Sequence, residues 1–205
     1  MLLASVTEEY GHAGSSECNP HAPQASALEQ GQGDWGEAAA ATKHVWSIRT
    51  KLQIEGRARD LAMFNLAIDS KLRGCDVVAI KVEDIAASGY TADRATVRQK
   101  KTGRPVRFEL TEQTRQAVDD YLKVANKRPG EFLFTGRGGT ERSMTTRHYA
   151  RLVSEWIGSV GLDPRLFGTH SLRRTKATLI YRRTGNLRAV QLLLGRATYC
   201  PRTTG

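Results

Sequence analysis

A histidine and an arginine stand three residues apart in the stretch GTHSLRR, at His170 and Arg173. Positions i and i+3 share one face of a helix, so the two side chains would lie next to each other. In the first turn of a helix, free backbone N–H groups and the helix dipole already favour an anion. A phosphate there would accept paired hydrogen bonds from Arg173 and one from His170, which can also exchange a proton. A capping histidine beside a surface arginine has the same spacing, so the pair alone leaves both interpretations open.

Two cations further upstream are candidates for the same anion. Arg73 follows a predicted helix in the stretch LRGCD, where it fits either a residue that closes the helix C-terminus or a second guanidinium for the phosphate. Lys101 lies in a predicted hairpin turn, KTG, which would carry a compact cation at a mobile position. Lys100 beside it is an equally good candidate by composition, and both also fit ordinary exposed turn lysines.

The elements that must position these residues are predicted to be mainly helical, with a small antiparallel sheet, which is an α+β fold. Apolar spacing predicts helices at 45–54, 59–72, 111–127, 149–160, 170–183 and 187–194. A short helix after Gly74 and a strand near 80–85 are predicted to precede a hairpin with strands at 95–99 and 106–110. Thr111 is a candidate N-cap, and the aromatic residues of the 149–160 stripe are predicted to be core.

Charge is divided unevenly along the 205-residue chain. Thirty-one Lys and Arg against 21 Asp and Glu give a net charge of +10. Residues 1–41 contain six acidic residues and no Lys or Arg, so residues 42–205 carry +16. Such an excess is typical of a domain that binds nucleic acid, although a solvated basic surface that only aids solubility has the same charge.

Residues 1–41 also differ from the rest in composition. They are rich in Gly, Ala, Ser, Glu and Gln and lack a periodic apolar pattern, so we expect an acidic and mostly disordered tail. The cysteines Cys18, Cys75 and Cys200 are widely spaced, which fits reduced thiols in a cytosol rather than a disulfide framework or a zinc site. No stretch has the pattern of a membrane span or a signal peptide.

Four features follow one another in a fixed order: Arg73, Lys101 in a hairpin turn, H-x-x-R at 170–173 and LLLG at 192–195. This order resembles the catalytic domain of the tyrosine recombinases, also called phage integrases. The matching stretches are LAIDSKLRGCDVVAIKVEDI, QKKTGRPVRFEL and GTHSLRRTKATLIYRRTGNLRAVQLLLG. The resemblance implies that residues 42–196 form this catalytic domain and that 197–205 are an atypical C-terminal tail.

The resemblance also implies a chemistry. A tyrosine hydroxyl cuts one DNA strand and forms a 3′-phosphotyrosyl link, and a 5′-hydroxyl later attacks that link to rejoin strands, without a metal ion or other cofactor. Arg73 and Arg173 would neutralise the non-bridging oxygens, His170 would hold the phosphate and move protons, and Lys101 would protonate the leaving 5′ oxygen. The implied partners are double-stranded DNA and further recombinase subunits on it. The implied location is the cytoplasm, for a bacterial or phage-derived protein that associates with the nucleoid when it is bound to DNA.

Two positions depart from the family pattern. The family usually has His or Trp after LLG, whereas Arg196 stands here, which can donate a hydrogen bond but cannot act as a neutral proton carrier. The family nucleophile follows about nine positions later, where this sequence has Gly205, and Pro201 would break the expected helix. Tyr199 lies about one and a half helical turns too early. The sequence therefore predicts an altered C-terminus, with a phosphate pocket but impaired cleavage.

DNA affinity is expected to come from basic side chains that contact backbone phosphates, chiefly Lys43, Arg174 and Lys176. Further candidates are Arg49, Lys51, Arg57, Arg94, Arg147, Arg182 and Arg183. Two alternatives to a recombinase remain at this point. One is a DNA-binding module without catalysis that regulates a full-length integrase. The other is a basic structural or protein-interaction domain in which H-x-x-R is coincidental.

Overall fold

The computed structural model describes residues 42–136, 139 and 142–193, which lie within a compact unit, Gly36–Gly205. The predictions for the acidic segment 1–41 and for Arg196 and Tyr199 fall outside the described residues. In the described part, the α+β prediction is confirmed: helices dominate and a single two-stranded sheet accompanies them. The elements are α1 (Thr42–Ile54), α2 (Ala58–Ser70), α3 (Gly74–Val77), α4 (Val82–Ala86), β1 (Arg94–Arg98), β2 (Pro105–Glu109), α5 (Glu112–Val124), α6 (Thr146–Ser159), α7 (Thr169–Thr184) and α8 (Leu187–Leu193), with a 3₁₀ turn at Pro164–Leu166.

Helix α2 forms the centre of the core. It is buried without a break from Ala62 to Ser70, and it packs against α1, α5 and α7. A helix buried on all sides must also bury its polar residues, which then need partners. Asn65 accepts a hydrogen bond from Arg49 Nε at 2.7 Å, and Asp69 is held by the network described below.

The apolar stripe of α6 packs on the same core, as the sequence predicts. Tyr149 and Trp156 are each only 1% exposed. The Trp156 ring meets Phe64 of α2 edge to face, with ring centroids 5.7 Å apart. These aromatic residues are therefore core residues and are not available to stack on bases.

The hairpin forms where it was predicted. Strands β1 and β2 pair antiparallel, with Val97 opposite Val106. Gln99 N donates to Arg104 O at 3.0 Å, and Gly103 N donates to Gln99 O at 2.8 Å. Gly103 has a φ of 64°, the left-handed conformation that glycine adopts without strain. Lys101 therefore lies in the turn.

The predicted strand near 80–85 is wrong. Only Lys81 makes an isolated bridge there, to Phe132, and residues 82–86 form α4 instead. Asp84 explains the difference, because its carboxylate accepts a hydrogen bond from Lys81 N at 2.9 Å and so binds a backbone group at the N-terminus of the helix. The apolar residues Val82, Ile85 and Ala86 then share the buried face of a helix.

Helices α7 and α8 lie within one residue of their predicted bounds. Gly185 ends α7 in the left-handed conformation, with a φ of 63°, and its N–H donates to Tyr181 O at 2.7 Å. No helix in the described ranges is long and apolar enough to cross a membrane.

Candidate functional site

Arg73 stands at the N-cap position of α3, in an extended conformation. It does not close the C-terminus of α2, because that helix already ends at Ser70 and Lys71 provides its left-handed cap. The half-buried Arg73 side chain instead crosses to the hairpin, where Nη1 donates to Gln99 Oε1 at 2.8 Å. The guanidinium is thereby oriented by a neutral amide.

The turn that carries Lys101 is fastened beside Arg73 at two points. Gln99 Oε1 also accepts a hydrogen bond from Thr102 Oγ1 at 2.8 Å, so one buried amide oxygen binds both Arg73 and the residue after Lys101. Asp76, on α3, accepts a hydrogen bond from Lys100 N at 2.9 Å. The side chains of Lys100 and Lys101 are both exposed. The turn is therefore tied to the residues around Arg73.

The first turn of α7 lies against the same short helix. A Cβ added to Gly74 would sit 3.3 Å from the Thr169 side chain and 3.3 Å from the Tyr149 ring, so only glycine allows this approach without displacement. Thr169 directly precedes His170. The structure therefore brings the chain at Arg73 next to the chain at His170.

Helix α7 buries one side of its first two turns against the core. Ser171, Leu172 and Thr175 are buried, and Thr175 Oγ1 donates to Ser171 O at 2.8 Å. His170 is exposed, whereas Arg173 is half-buried and its Nε is closed off from solvent. The three-residue spacing places the two residues on one side of α7, at the end of the helix that contacts Gly74.

The partner of Arg73 is a neutral group. Among the described residues no carboxylate lies within ion-pair distance of its guanidinium, which donates to Gln99 instead. A guanidinium held by an amide keeps its full charge and its remaining N–H donors for another group. Such a cation, beside an exposed lysine turn and an H-x-x-R pair, is suited to bind an oxyanion.

Lys176 lies one turn beyond Arg173 and has a different environment. Its Nζ donates to Asp69 Oδ1 at 2.5 Å. The other Asp69 oxygen accepts hydrogen bonds from Thr111 N, Thr111 Oγ1 and Thr114 Oγ1 at 2.7–2.9 Å. Burial alone would raise the pKa of Asp69, but the bonds from Lys176 and the two threonines hold that pKa below its usual value. Thr111 is at the N-cap position of α5 as predicted, yet its hydroxyl serves Asp69 rather than the helix.

The other predicted phosphate contacts differ in exposure and in their partners. Exposed side chains are those of Lys43, Arg147, Arg174, Arg182 and Arg183. Side-chain hydrogen bonds within the protein join Arg49 to Asn65 and Gln113, Lys51 to Ser159 O, Arg57 to Asp60 and Glu155, and Arg94 to Glu109. No group of three or more His, Cys, Asp or Glu in the described part of the chain is placed to hold a metal ion.

Sequence reasoning missed Gln99, Asp76 and Asp69. Gln99 had a detectable signal, because it continues the alternation of Ala95 and Val97 one position past the end of β1, and all three residues are buried. An amide that continues the inward face of a strand needs a polar partner. Asp69 and Lys176 are 107 residues apart, and no local pattern predicts that pair.

Comparisons with known proteins agree with this architecture. The sequence profile described as "Phage integrase family" matches residues 43–198. Tyrosine recombinase XerC of Neisseria meningitidis serogroup C is 31% identical over 142 residues, which are 68% of this chain and 44% of that protein. XerC of Caldanaerobacter subterraneus is 33% identical over 144 residues, 68% of this chain and 38% of that protein. The chain thus spans less than half the length of these relatives.

Solved structures share the fold at low sequence identity. XerA recombinase superposes with a TM-score of 0.66 at 18% identity, covering 80% of this chain and 57% of that one. A lambda integrase tetramer bound to a Holliday junction gives a TM-score of 0.61 at 16% identity, covering 83% and 48%. Because the family profile covers more than half of the chain, the chain belongs to the phage integrase family, and it has the fold of a tyrosine recombinase catalytic domain.

Proposed function

We propose that this chain binds double-stranded DNA and holds one backbone phosphate between Arg73, Lys101, His170 and Arg173, for site-specific strand cleavage and rejoining. The observation that supports the proposal most is the shared amide of Gln99. It bonds both Arg73 and the Lys101 turn, and Gly74 beside Arg73 contacts the residue before His170. Three elements that are far apart in sequence thus lie next to one another, and each of them carries basic side chains.

In this proposal the phosphate is transferred from the DNA 5′ oxygen to a tyrosine oxygen without a cofactor. A tyrosine hydroxyl attacks phosphorus and loses its proton, the bond to the 5′ oxygen breaks, and Lys101 donates a proton to that leaving oxygen. Arg73 and Arg173 stabilise the charge that develops on the non-bridging oxygens, and His170 hydrogen-bonds the same group. Rejoining is the reverse reaction with another 5′-hydroxyl, so one phosphoester replaces another of similar stability.

The attacking group is the part of the reaction that this sequence supplies least clearly. Arg196 occupies the family's His or Trp position, and Gly205 stands where the family pattern expects tyrosine. We therefore propose that cleavage by this chain is impaired. A second candidate function follows from the same residues: a DNA-binding form without catalysis that regulates a full-length integrase.

DNA itself is proposed as the partner because of the +16 charge of residues 42–205 and the exposed Lys43 and Arg174. XerH has been solved bound to its difH substrate, and lambda integrase as a tetramer on a Holliday junction. By analogy we propose that this chain also assembles with other recombinase subunits on DNA.

A nicked suicide substrate separates the two functions. Loss of the short 5′-hydroxyl fragment would trap any phosphotyrosyl link, which a denaturing gel resolves as a protein–DNA adduct. An adduct that disappears in Tyr199→Phe would identify Tyr199 as the nucleophile. DNA binding without an adduct would support the second function, a DNA-binding regulator without catalysis. Absence of salt-sensitive DNA binding would overturn both.

The role of Arg173 can be tested apart from cleavage. Arg173→Lys keeps the charge but loses the planar fork that binds two oxygens. We expect phosphate to bind the site at least about tenfold more weakly, the equivalent of one lost charge-assisted hydrogen bond. Equal affinity in both proteins would contradict the assignment of Arg173.

A further inference from the structure

Lys71, the residue after α2, has three unfavourable features at once. Its φ of 55° lies in the left-handed region, where glycine is favoured and a lysine is strained. It is only 9% exposed, so its side chain has lost most of its hydration. Among the described residues, none forms a hydrogen bond or an ion pair with its ammonium. Strain and burial together at one unpartnered charge point to a ligand rather than to stability.

A cavity of about 470 Å³ opens over Lys71, between β2 and the second half of α7. This volume is in the range of small-ligand sites. The wall contains four cations and one carboxylate, with apolar side chains behind them: Lys71, Arg94, Arg107, Lys176, Glu109, Phe108 and Ile180.

Two of the four cations already have partners. Arg94 pairs with Glu109 at 3.0 Å across the exposed hairpin, and Lys176 pairs with Asp69. Lys71 and Arg107 remain without an anionic partner among the described residues. Burial and the nearby charge of Lys176 lower the pKa of Lys71, and Asp69 and Glu109 offset that only in part. An anion in the cavity would balance this charge.

We propose that this cavity, between Lys71 and Arg107, binds an oxyanion of the phosphate class at a second site. The site is distinct from the Arg73 region but lies next to it, since Lys71 is two residues from Arg73 and Lys176 is one turn beyond Arg173. The Arg94–Glu109 pair is at the opposite end of the hairpin from the Lys101 turn. The recessed position of Lys71 favours a free phosphate or a terminal phosphate ester over the convex backbone of a duplex.

NMR of the protein with isotope-labelled lysines tests the proposal directly, because it observes the Lys71 ammonium end. Inorganic phosphate is titrated at constant ionic strength, and Lys71→Gln assigns the signal. We expect a saturable shift of Lys71 in the unmodified protein. In Arg107→Gln the apparent affinity should fall at least about tenfold, as for loss of one charge-assisted hydrogen bond. Lys123→Gln, an exposed change on α5, should leave the Lys71 titration unaltered.

Two further arms separate this site from the proposed recombinase pocket and identify the source of the anion. Arg173→Gln should leave the phosphate-induced shift of Lys71 intact. If Arg173→Gln abolishes that shift while Arg107→Gln preserves it, the anion occupies the recombinase pocket instead, and the proposal is overturned. A duplex without terminal phosphates replaces inorganic phosphate in a parallel titration. A shift with inorganic phosphate alone supports a free phosphate or ester, and a shift with the duplex as well supports a backbone phosphate. No shift with either probe overturns the site, whatever the suicide substrate shows.

Discussion

Arg73 and Lys176 are two cations of the same domain that have opposite kinds of partner. Arg73 donates to the neutral Gln99 amide at 2.8 Å, whereas Lys176 donates to the buried Asp69 carboxylate at 2.5 Å. An amide orients a cation without neutralising it, and a carboxylate neutralises it. The comparison shows that a basic residue's partner, rather than its presence in the sequence, decides whether its charge remains available for phosphate.

The largest expected effect is on the Asp69 side of this comparison. In Asp69→Asn the half-buried Lys176 loses its counter-charge, and the two threonines lose a charged acceptor. Breaking one partner of a buried pair costs about 3–5 kcal/mol of the free energy of unfolding. Urea denaturation measures the change. Asp120→Asn on the exposed face of α5 is the control, and we expect it to stay within about 0.5 kcal/mol; equal losses in both variants would contradict a structural role for the Asp69–Lys176 pair.

The Arg73 side is tested by giving it the kind of partner that Lys176 has. Gln99→Glu places a carboxylate against the guanidinium, so the phosphate must compete with it. We expect phosphate binding at the Arg73 site to weaken at least about tenfold, which is the effect of about 1.4 kcal/mol. NMR of the His170 imidazole during a phosphate titration reports it.

Gln99→Leu is the matched variant, because it removes the amide without adding charge. We expect a smaller loss of phosphate affinity than in Gln99→Glu, since only the orientation of Arg73 and of the Lys101 turn suffers. Equal affinities in Gln99→Glu and the unmodified protein would show that the neutrality of the amide is irrelevant.

Acid should weaken the Asp69 region before it affects the Arg73 region. The pKa of Asp69 is depressed in the folded protein, so its contribution is complete above the unfolded carboxyl pKa of about 3.9. It is lost as the pH falls from about 4 through the folded pKa. The difference in unfolding free energy between the unmodified protein and Asp69→Asn should therefore shrink below pH 4. A constant difference down to pH 2 would contradict the depressed pKa.

The smallest expected effect concerns DNA affinity. Lys43 is exposed, so Lys43→Gln should reduce the slope of log affinity against log salt by about one unit. Lys176→Gln should leave the slope unchanged, because Asp69 already balances that charge, although the sequence predicted Lys176 as a DNA contact. Filter binding over a salt series measures both. A reduced slope in Lys176→Gln would restore it as a phosphate contact.

Local patterns predicted most of this fold and half of the candidate site. Helical spacing and end glycines gave α6 and α7, and alternation with a KTG turn gave the hairpin. The strand prediction at 80–85 was wrong because the apolar residues of this short stretch, among them Val82 and Ile85, do not distinguish the periodicity of a strand from that of a helix. The Asp84 carboxylate, which binds a backbone N–H at the start of α4, favours the helix. Arg73, Lys101 and the H-x-x-R pair could be recognised from their residue types and their positions in the chain.

The partners of those residues were not predictable in the same way. Gln99 is bound to Arg73 from 26 positions away, and the Asp69–Lys176 pair joins two helices across most of the domain. Such pairs depend on tertiary packing, which no short window of sequence contains. The strained Lys71 likewise gave no signal, since only the backbone shows its left-handed conformation.

The central claim is that Arg73 and Arg173 bind one and the same phosphate. A double-mutant cycle tests it: phosphate affinity, reported by the His170 imidazole, is measured for the unmodified protein, Arg73→Gln, Arg173→Gln and the double variant. Two guanidiniums on one phosphate predict losses that are strongly non-additive, with a coupling energy of about 1–3 kcal/mol. Losses that add within about 0.5 kcal/mol would place the two arginines at separate anions and contradict the account.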